Sequence, residues 1–300
     1  MIYYYSLFVT FFFLSLLENK FNPHLKSTLI TISFLFLVFF AGFRSNEFGD
    51  YCTYKYFFLD SPDLVQYLYN PFLFHRHTDF GFQMLINFSK VFSSNVILMF
   101  FITALLSISI IFFCIRKMSP YIFVSVIIYF SHMYLLKDLA QIRSGLASAF
   151  VLLSIYLVAN KNIRSGVVSI VIGSLMHLSA IPTLIYVFFH KIEISKFLWI
   201  CFLMISILVT AINLDDIVFQ IFSQLNLLPL KFYVYYQQSS MSINNYDLGI
   251  FSNIATVKYL LVSLVSIFLY DQLNNKYNFF KPAFILYIFG TAWIIIFNDF

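Results

Sequence analysis

Long apolar runs separated by short polar connections set the pattern of this chain of 300 residues. A helix that crosses roughly 30 Å of hydrocarbon needs about 20 mostly apolar residues. Runs over residues 2–17, 28–43, 95–115, 121–136, 144–159, 165–189, 197–213, 248–270 and 282–297 meet or approach that length. The shorter ones are expected to extend into their polar flanks. Lipid offers no partner to an open strand edge, and the runs are too continuous for the alternation of a barrel, so they are read as helices. The expected fold is all-α: a polytopic integral membrane bundle of about nine or ten segments, one of them broken or re-entrant. No internal repeat and no soluble domain-sized segment interrupts it, so residues 1–300 are expected to form a single transmembrane domain.

Lys and Arg in short loops set orientation. The connections 18–27 (Lys20, Lys26), 116–120 (Arg116, Lys117) and 160–164 (Lys161, Arg164) are each doubly basic and are assigned to the cytoplasm. The N-terminus, the 44–94 loop and the 137–143 connection then lie outside. Within that first loop, residues 80–92 (FGFQMLINFSKVF) are expected to form an amphipathic helix along the membrane surface. A straight span over 165–189 would put the basic connections 191–196 and 272–281 outside. A break near 177–182 returns both to the cytoplasm and places the 214–247 loop outside, and this broken form is the expected one.

Composition agrees with a membrane protein. Hydrophobic residues make up 61% and charged residues 10%, and the mean hydropathy is +0.86. The abundance of Phe, Ile, Tyr and Asn is also what AT-rich codons would produce, so it carries no functional weight. The net charge of +5 is spread over many loops and forms no basic tract, which argues for orientation and against nucleic acid as a partner. Cys52, Cys114 and Cys201 lack metal-ligand spacing and do not suggest a disulfide framework. Residues 2–17 lack a basic start and a small-residue cleavage site, so they are read as a retained span. No soluble nucleotide or hydrolase motif is present, and neither a metal nor a cofactor is implied.

Three polar clusters interrupt the apolar pattern. The first is Arg44, Glu47, Gly49, Asp50 and Tyr51 at the outer end of the second span, Glu47 being read only as part of a solvated loop start. A carboxylate there can take a proton from a sugar hydroxyl, and an arginine can grip phosphate oxygens with its planar fork. The same residues also suit a solvated loop start. The second is Lys137, Asp138, Gln141 and Arg143, followed by the small pairs Ser144/Ser148 and Gly145/Ala149. Those pairs allow another element to approach closely and would hold Arg143 at a crowded mouth; an ordinary connecting loop is the plainer alternative. The third is 174–182 (SLMHLSAIP), where His177 interrupts an apolar run ahead of Pro182. A packing histidine satisfied by a backbone carbonyl remains the alternative there.

The order Arg44…Gly49-Asp50-Tyr51…Tyr54, then Gln141…Arg143…Gly145…Ala147, then His177…Ser179…Pro182 resembles the EpsG family of bacterial polysaccharide polymerases, related in role to Wzy-type O-antigen and capsule polymerases. The resemblance covers residues 40–190 best. It implies transfer of an oligosaccharide chain from undecaprenyl diphosphate to another lipid-linked repeat unit, outside the bacterial cytoplasmic membrane. Lipid-linked oligosaccharide, membrane lipid and a chain-length regulator are the partners it implies. Arg143, assisted by Arg44 or Lys137, would neutralise the leaving diphosphate; Asp50 would be the general base, with His177 as rival base or diphosphate donor. Tyr51 and Gln141 would contact substrate. Family members continue past the last span into an external segment with another arginine, whereas this chain stops at residues 298–300, which reads as a short member or a missing C-terminus. A flippase of lipid-linked oligosaccharide and a membrane acyltransferase are the competing readings. The first would show repeated halves with mid-membrane binding groups, and the second a His-Asp acyl-transfer signature.

Overall fold

In a computed structural model the described residues are 2–44, 49–69, 78–210 and 254–296. Glu47 and the 214–247 connection lie outside them. They pack as two compact units, residues 1–187 and 188–300. Among the described residues all regular structure is helical, and the protein is a polytopic membrane helical bundle.

The first unit holds α1 (Ile2–Leu17), α2 (Pro23–Gly42), α3 (Tyr51–Asp60), α4 (Leu64–Tyr69), α5 (Phe80–Phe92), α6 (Val96–Met118), α7 (Ile122–Tyr129), α8 (Ile142–Ala159) and α9 (Ile163–Met176). The helices α2, α6 and α8 are each long and apolar enough to cross a membrane alone. Their ends reach past the apolar runs, as the lengths required. Pro23 opens α2 in a first-turn position where its missing N–H is no loss, and the Asn22 side chain accepts from Leu25 N at 2.8 Å. The bundle runs up and down: Tyr4 meets Phe40 and Phe34 meets Phe112, so α2 is antiparallel to both α1 and α6. After α7 the chain widens into a π-helical stretch, Phe130–Asp138, with Leu139 N bonding back to Tyr134 O.

Contacts at each end sort the connections. The buried Glu18 carboxylate accepts from Ile122 N at 2.6 Å and Phe123 N at 2.9 Å, and pairs with Lys26 at 2.7 Å. A carboxylate at the positive end of a helix is favoured, so Glu18 caps α7 from a remote turn. Phe113 packs edge-on against Tyr156, bringing the last turns of α6 and α8 together. All three doubly basic connections therefore share one end. Glu18→Gln is expected to destabilise the unit by about 1–3 kcal/mol, read as an earlier thermal transition in detergent.

The run over 165–189 is broken, as the basic connections demanded. The helix α9 ends at Met176, His177 is extended (φ −160°, ψ 128°), and Leu178–Leu184 forms 3₁₀ turns before α10 (Ile185–Phe189). Beyond the break the chain folds back. A Cβ on Gly173 would lie 3.6 Å from Ala180 Cβ, and the Tyr186 hydroxyl bonds the Ser154 hydroxyl at 2.6 Å, well down α8. The two halves thus form a hairpin whose tip carries His177.

The second unit contains α11 (Lys196–Thr210), α12 (Ile254–Phe268), α13 (Tyr270–Lys276) and α14 (Phe280–Ile296). Together α12 and α13 are apolar enough for a span but bend by 71°. Trp199 packs edge-on against Phe284 and Phe289. Ion pairs Lys196–Asp271 and Lys281–Glu193 join the two basic connections at one end of this unit.

Candidate functional site

At the end of the first unit opposite Glu18, three elements bring charge together. Arg143 Nη1 donates to Asp79 Oδ2 at 3.2 Å, and His177 Nδ1 lies 3.3 Å from the same oxygen. The partners are separated by 64 and 98 residues of chain. Asp79 stands at the N-cap of α5, where aspartate ordinarily bonds the first turn; its side chain makes no capping bond and faces Arg143 and His177 instead. Arg143 lies in the first turn of α8, since that helix starts at Ile142, before the apolar run does. His177 is the residue after α9.

Close packing holds these three elements in register. A Cβ on Gly81 would come within 2.9 Å of Leu175 O and Cβ, so only glycine lets the start of α5 reach the end of α9. A Cβ on Gly145 would lie 2.7 Å from Lys137 O, which keeps α8 against the turn that precedes it. Of the small residues in this stretch, Gly145 makes that approach. Gly81→Ala is expected to move Asp79 away from His177 and to destabilise the unit by about 1–3 kcal/mol, the usual cost of overpacking. An earlier thermal transition in detergent checks it.

The walls around Arg143 are aromatic. Its Cζ lies 6.0 Å from the Tyr54 ring centroid and 5.7 Å from that of Phe57, both on α3. Burial raises the Tyr54 phenol above its usual pKa; Arg143 pulls against this and Asp50 adds to it. Arg143 Nε is buried and has no hydrogen-bond partner among the described residues. The guanidinium therefore has donor capacity beyond its bond to Asp79.

The other sequence-nominated residues surround this cluster. Arg44 is 5% exposed, donates from Nε to Ala41 O at 2.9 Å and from Nη1 to Leu139 O at 2.7 Å, and lies over Phe100 at 4.5 Å. It ties the end of α2 to the turn before Arg143, and burial brings its pKa down to about 10, which leaves it cationic at neutral pH. Asp50 is exposed at the start of α3 and lies outside the three-residue cluster. A Cβ on neighbouring Gly49 would lie 3.5 Å from Ala140, so the first and second sequence clusters adjoin. Tyr51 stacks on Phe100 at 5.1 Å. Lys137 Nζ donates to Gln141 Oε1 at 2.7 Å and Ser144 Oγ at 3.1 Å. Asp138 turns inward, accepting from Ser107 and from Tyr129 at 2.7 Å.

Asp79 is the residue that sequence reading passed over. The available signal was its place in Thr78-Asp79-Phe80, a capping aspartate immediately before the amphipathic run. Such a position normally announces a helix start and nothing more.

An apolar multi-helix bundle with carboxylate, guanidinium and imidazole gathered at one end defines a polytopic membrane protein with a charged cluster at a bundle end. The EpsG family model matches residues 27–300, and the chain belongs to that family. It is also similar to the amylovoran biosynthesis protein AmsC of Erwinia amylovora, with 27% identity over 210 residues that cover 68% of this chain and 56% of the relative. The chain thus spans little more than half the length of that relative. No solved structure matches.

Proposed function

We propose that this protein is a polysaccharide polymerase of the membrane glycosyltransferase type, acting at the outer face of the bacterial cytoplasmic membrane. Its donor is an oligosaccharide chain on undecaprenyl diphosphate, and its acceptor is the end of another lipid-linked repeat unit. The convergence of Asp79, Arg143 and His177 carries this reading, because the reaction needs a fixed cation and a proton acceptor side by side. Membership of the EpsG family and the likeness to a protein named for amylovoran biosynthesis support it.

In the proposed step the acceptor hydroxyl attacks the anomeric carbon as the bond from that carbon to the diphosphate oxygen breaks. Arg143 receives the developing diphosphate charge through the guanidinium edge not engaged by Asp79. A preorganised cation in a water-poor mouth is worth most at that moment. With its Nδ1–H donating to Asp79, His177 presents Nε2 to the acceptor hydroxyl and takes its proton. Asp79 fixes the imidazole and compensates its charge, the division of labour seen in carboxylate–histidine pairs generally. This makes His177 the base ahead of Asp50, which lies at the rim and is placed to contact sugar. Tyr51, Lys137 and Gln141 line the same end, and Arg44 holds the Leu139 turn from below.

The test is a gene deletion complemented with the intact and altered chains, followed by electrophoresis of the surface glycan. Loss of polymerisation leaves lipid capped with a single repeat. Accumulation of lipid-linked repeats on the cytoplasmic side would instead identify a flippase.

A further inference from the structure

The end of the first unit opposite the candidate site carries a second feature. Between the lower halves of α2 and α6 lies a groove of about 430 Å³. Ile30 and Phe34 of α2 and Phe112 and Phe113 of α6 form its apolar walls, and Arg116 and Lys117 stand at its mouth. Its reach from Ser109 to Lys117 corresponds to roughly 12 Å of helix. At this end Lys26 is paired with Glu18, whereas among the described residues neither Arg116 nor Lys117 forms an ion pair.

We propose that this groove holds an anionic phospholipid of the leaflet opposite the candidate site, one acyl chain lying along the Phe34, Phe112 and Phe113 walls and the phosphate between Arg116 and Lys117. The charge pattern selects the occupant. Apolar walls below two adjacent cations match an amphiphile with a negative head, and basic pockets between membrane helices bind such headgroups. A zwitterionic lipid brings its own cation to the mouth. A second copy of this chain docked symmetrically would place Arg116 and Lys117 against their counterparts. A free phosphate would leave the aromatic walls unused. Bound there, the lipid bridges α2 and α6, the two long helices whose far ends carry Arg44 and Phe100.

Native mass spectrometry of the purified full-length protein in a neutral detergent tests the proposal. One phosphatidylglycerol should be retained in preference to phosphatidylcholine. The double variant Arg116→Gln/Lys117→Gln should retain it about thirty-fold less well, two cations each contributing what a basic residue near an anionic lipid surface does. Lys161→Gln/Arg164→Gln, which removes two cations at the same end but outside the groove, should leave retention unchanged. In the unaltered protein a photoactivatable phosphatidylglycerol should label residues 30–34 and 109–117, a readout that needs no variant to fold. Equal retention of the two lipids, equal loss in both double variants, labelling elsewhere, or preferential capture of undecaprenyl phosphate would each overturn it.

Discussion

Arg143→Lys is expected to lower chain elongation by about 10²–10³ while the protein stays inserted and abundant, the scale on which losing one preorganised donor at a developing charge acts. The guanidinium is held on two sides: Nη1 bonds Asp79 at 3.2 Å, and the Tyr54 and Phe57 rings flank it at 6.0 and 5.7 Å. A planar fork can keep that bond and still present its other N–H donors to a phosphate oxygen. An ammonium is a point charge that must choose between Asp79 and the diphosphate. Turnover should fall more than apparent acceptor affinity. The measurement is elongation rate in membranes supplied with lipid-linked repeats, alongside protein level.

Asp79→Asn is expected to cost on the order of 10³ in the same assay, within the range by which positioned proton transfer contributes. Asparagine has nearly the shape of aspartate but brings no charge. It leaves Arg143 without its counter-ion, and an amide that can turn either its oxygen or its NH2 toward His177 no longer fixes the tautomer. Asp79→Glu keeps the carboxylate at a slightly longer reach and should retain more activity than Asp79→Asn. A purely structural role would predict the reverse order, since the added methylene disturbs packing beside Gly81 and Leu175.

The fold was legible in the sequence to the extent that lipid made it so. Apolar length placed α2, α6 and α8. The distribution of Lys and Arg called for a break in 165–189, and the chain turns back at His177. The amphipathic run at 80–92 forms α5 with those same bounds. Hydropathy could not show that Glu18 would leave water to cap α7, because the partner amides lie more than a hundred residues away. Arg44 read as a cation free to grip phosphate for the same reason; in the fold its guanidinium is buried on two carbonyl oxygens.

The candidate site was half legible. Arg143 and His177 stood out because an ionisable group beside an apolar run is costly and invites a reason. Asp79 did not, since it lies in a polar connection where an aspartate costs nothing. Only the turn of α9 at His177 and the close approach of α5 at Gly81 make it the residue that joins the other two. Asp50 attracted notice through its neighbours Gly49 and Tyr51, and its exposed place at the start of α3 puts it at the edge of the cluster.

The claim on which the mechanism rests is that this cluster opens outside the cell membrane. Single cysteines at Asp50 and Gln141, both exposed at the cluster end, and at Lys117, exposed at the other end, can be placed in a chain whose three native cysteines have been replaced. A thiol reagent that cannot cross the cytoplasmic membrane should label the first two positions in intact cells and the third only after lysis. Labelling of positions 50 and 141 from opposite sides, or of 117 alone from outside, would contradict the account.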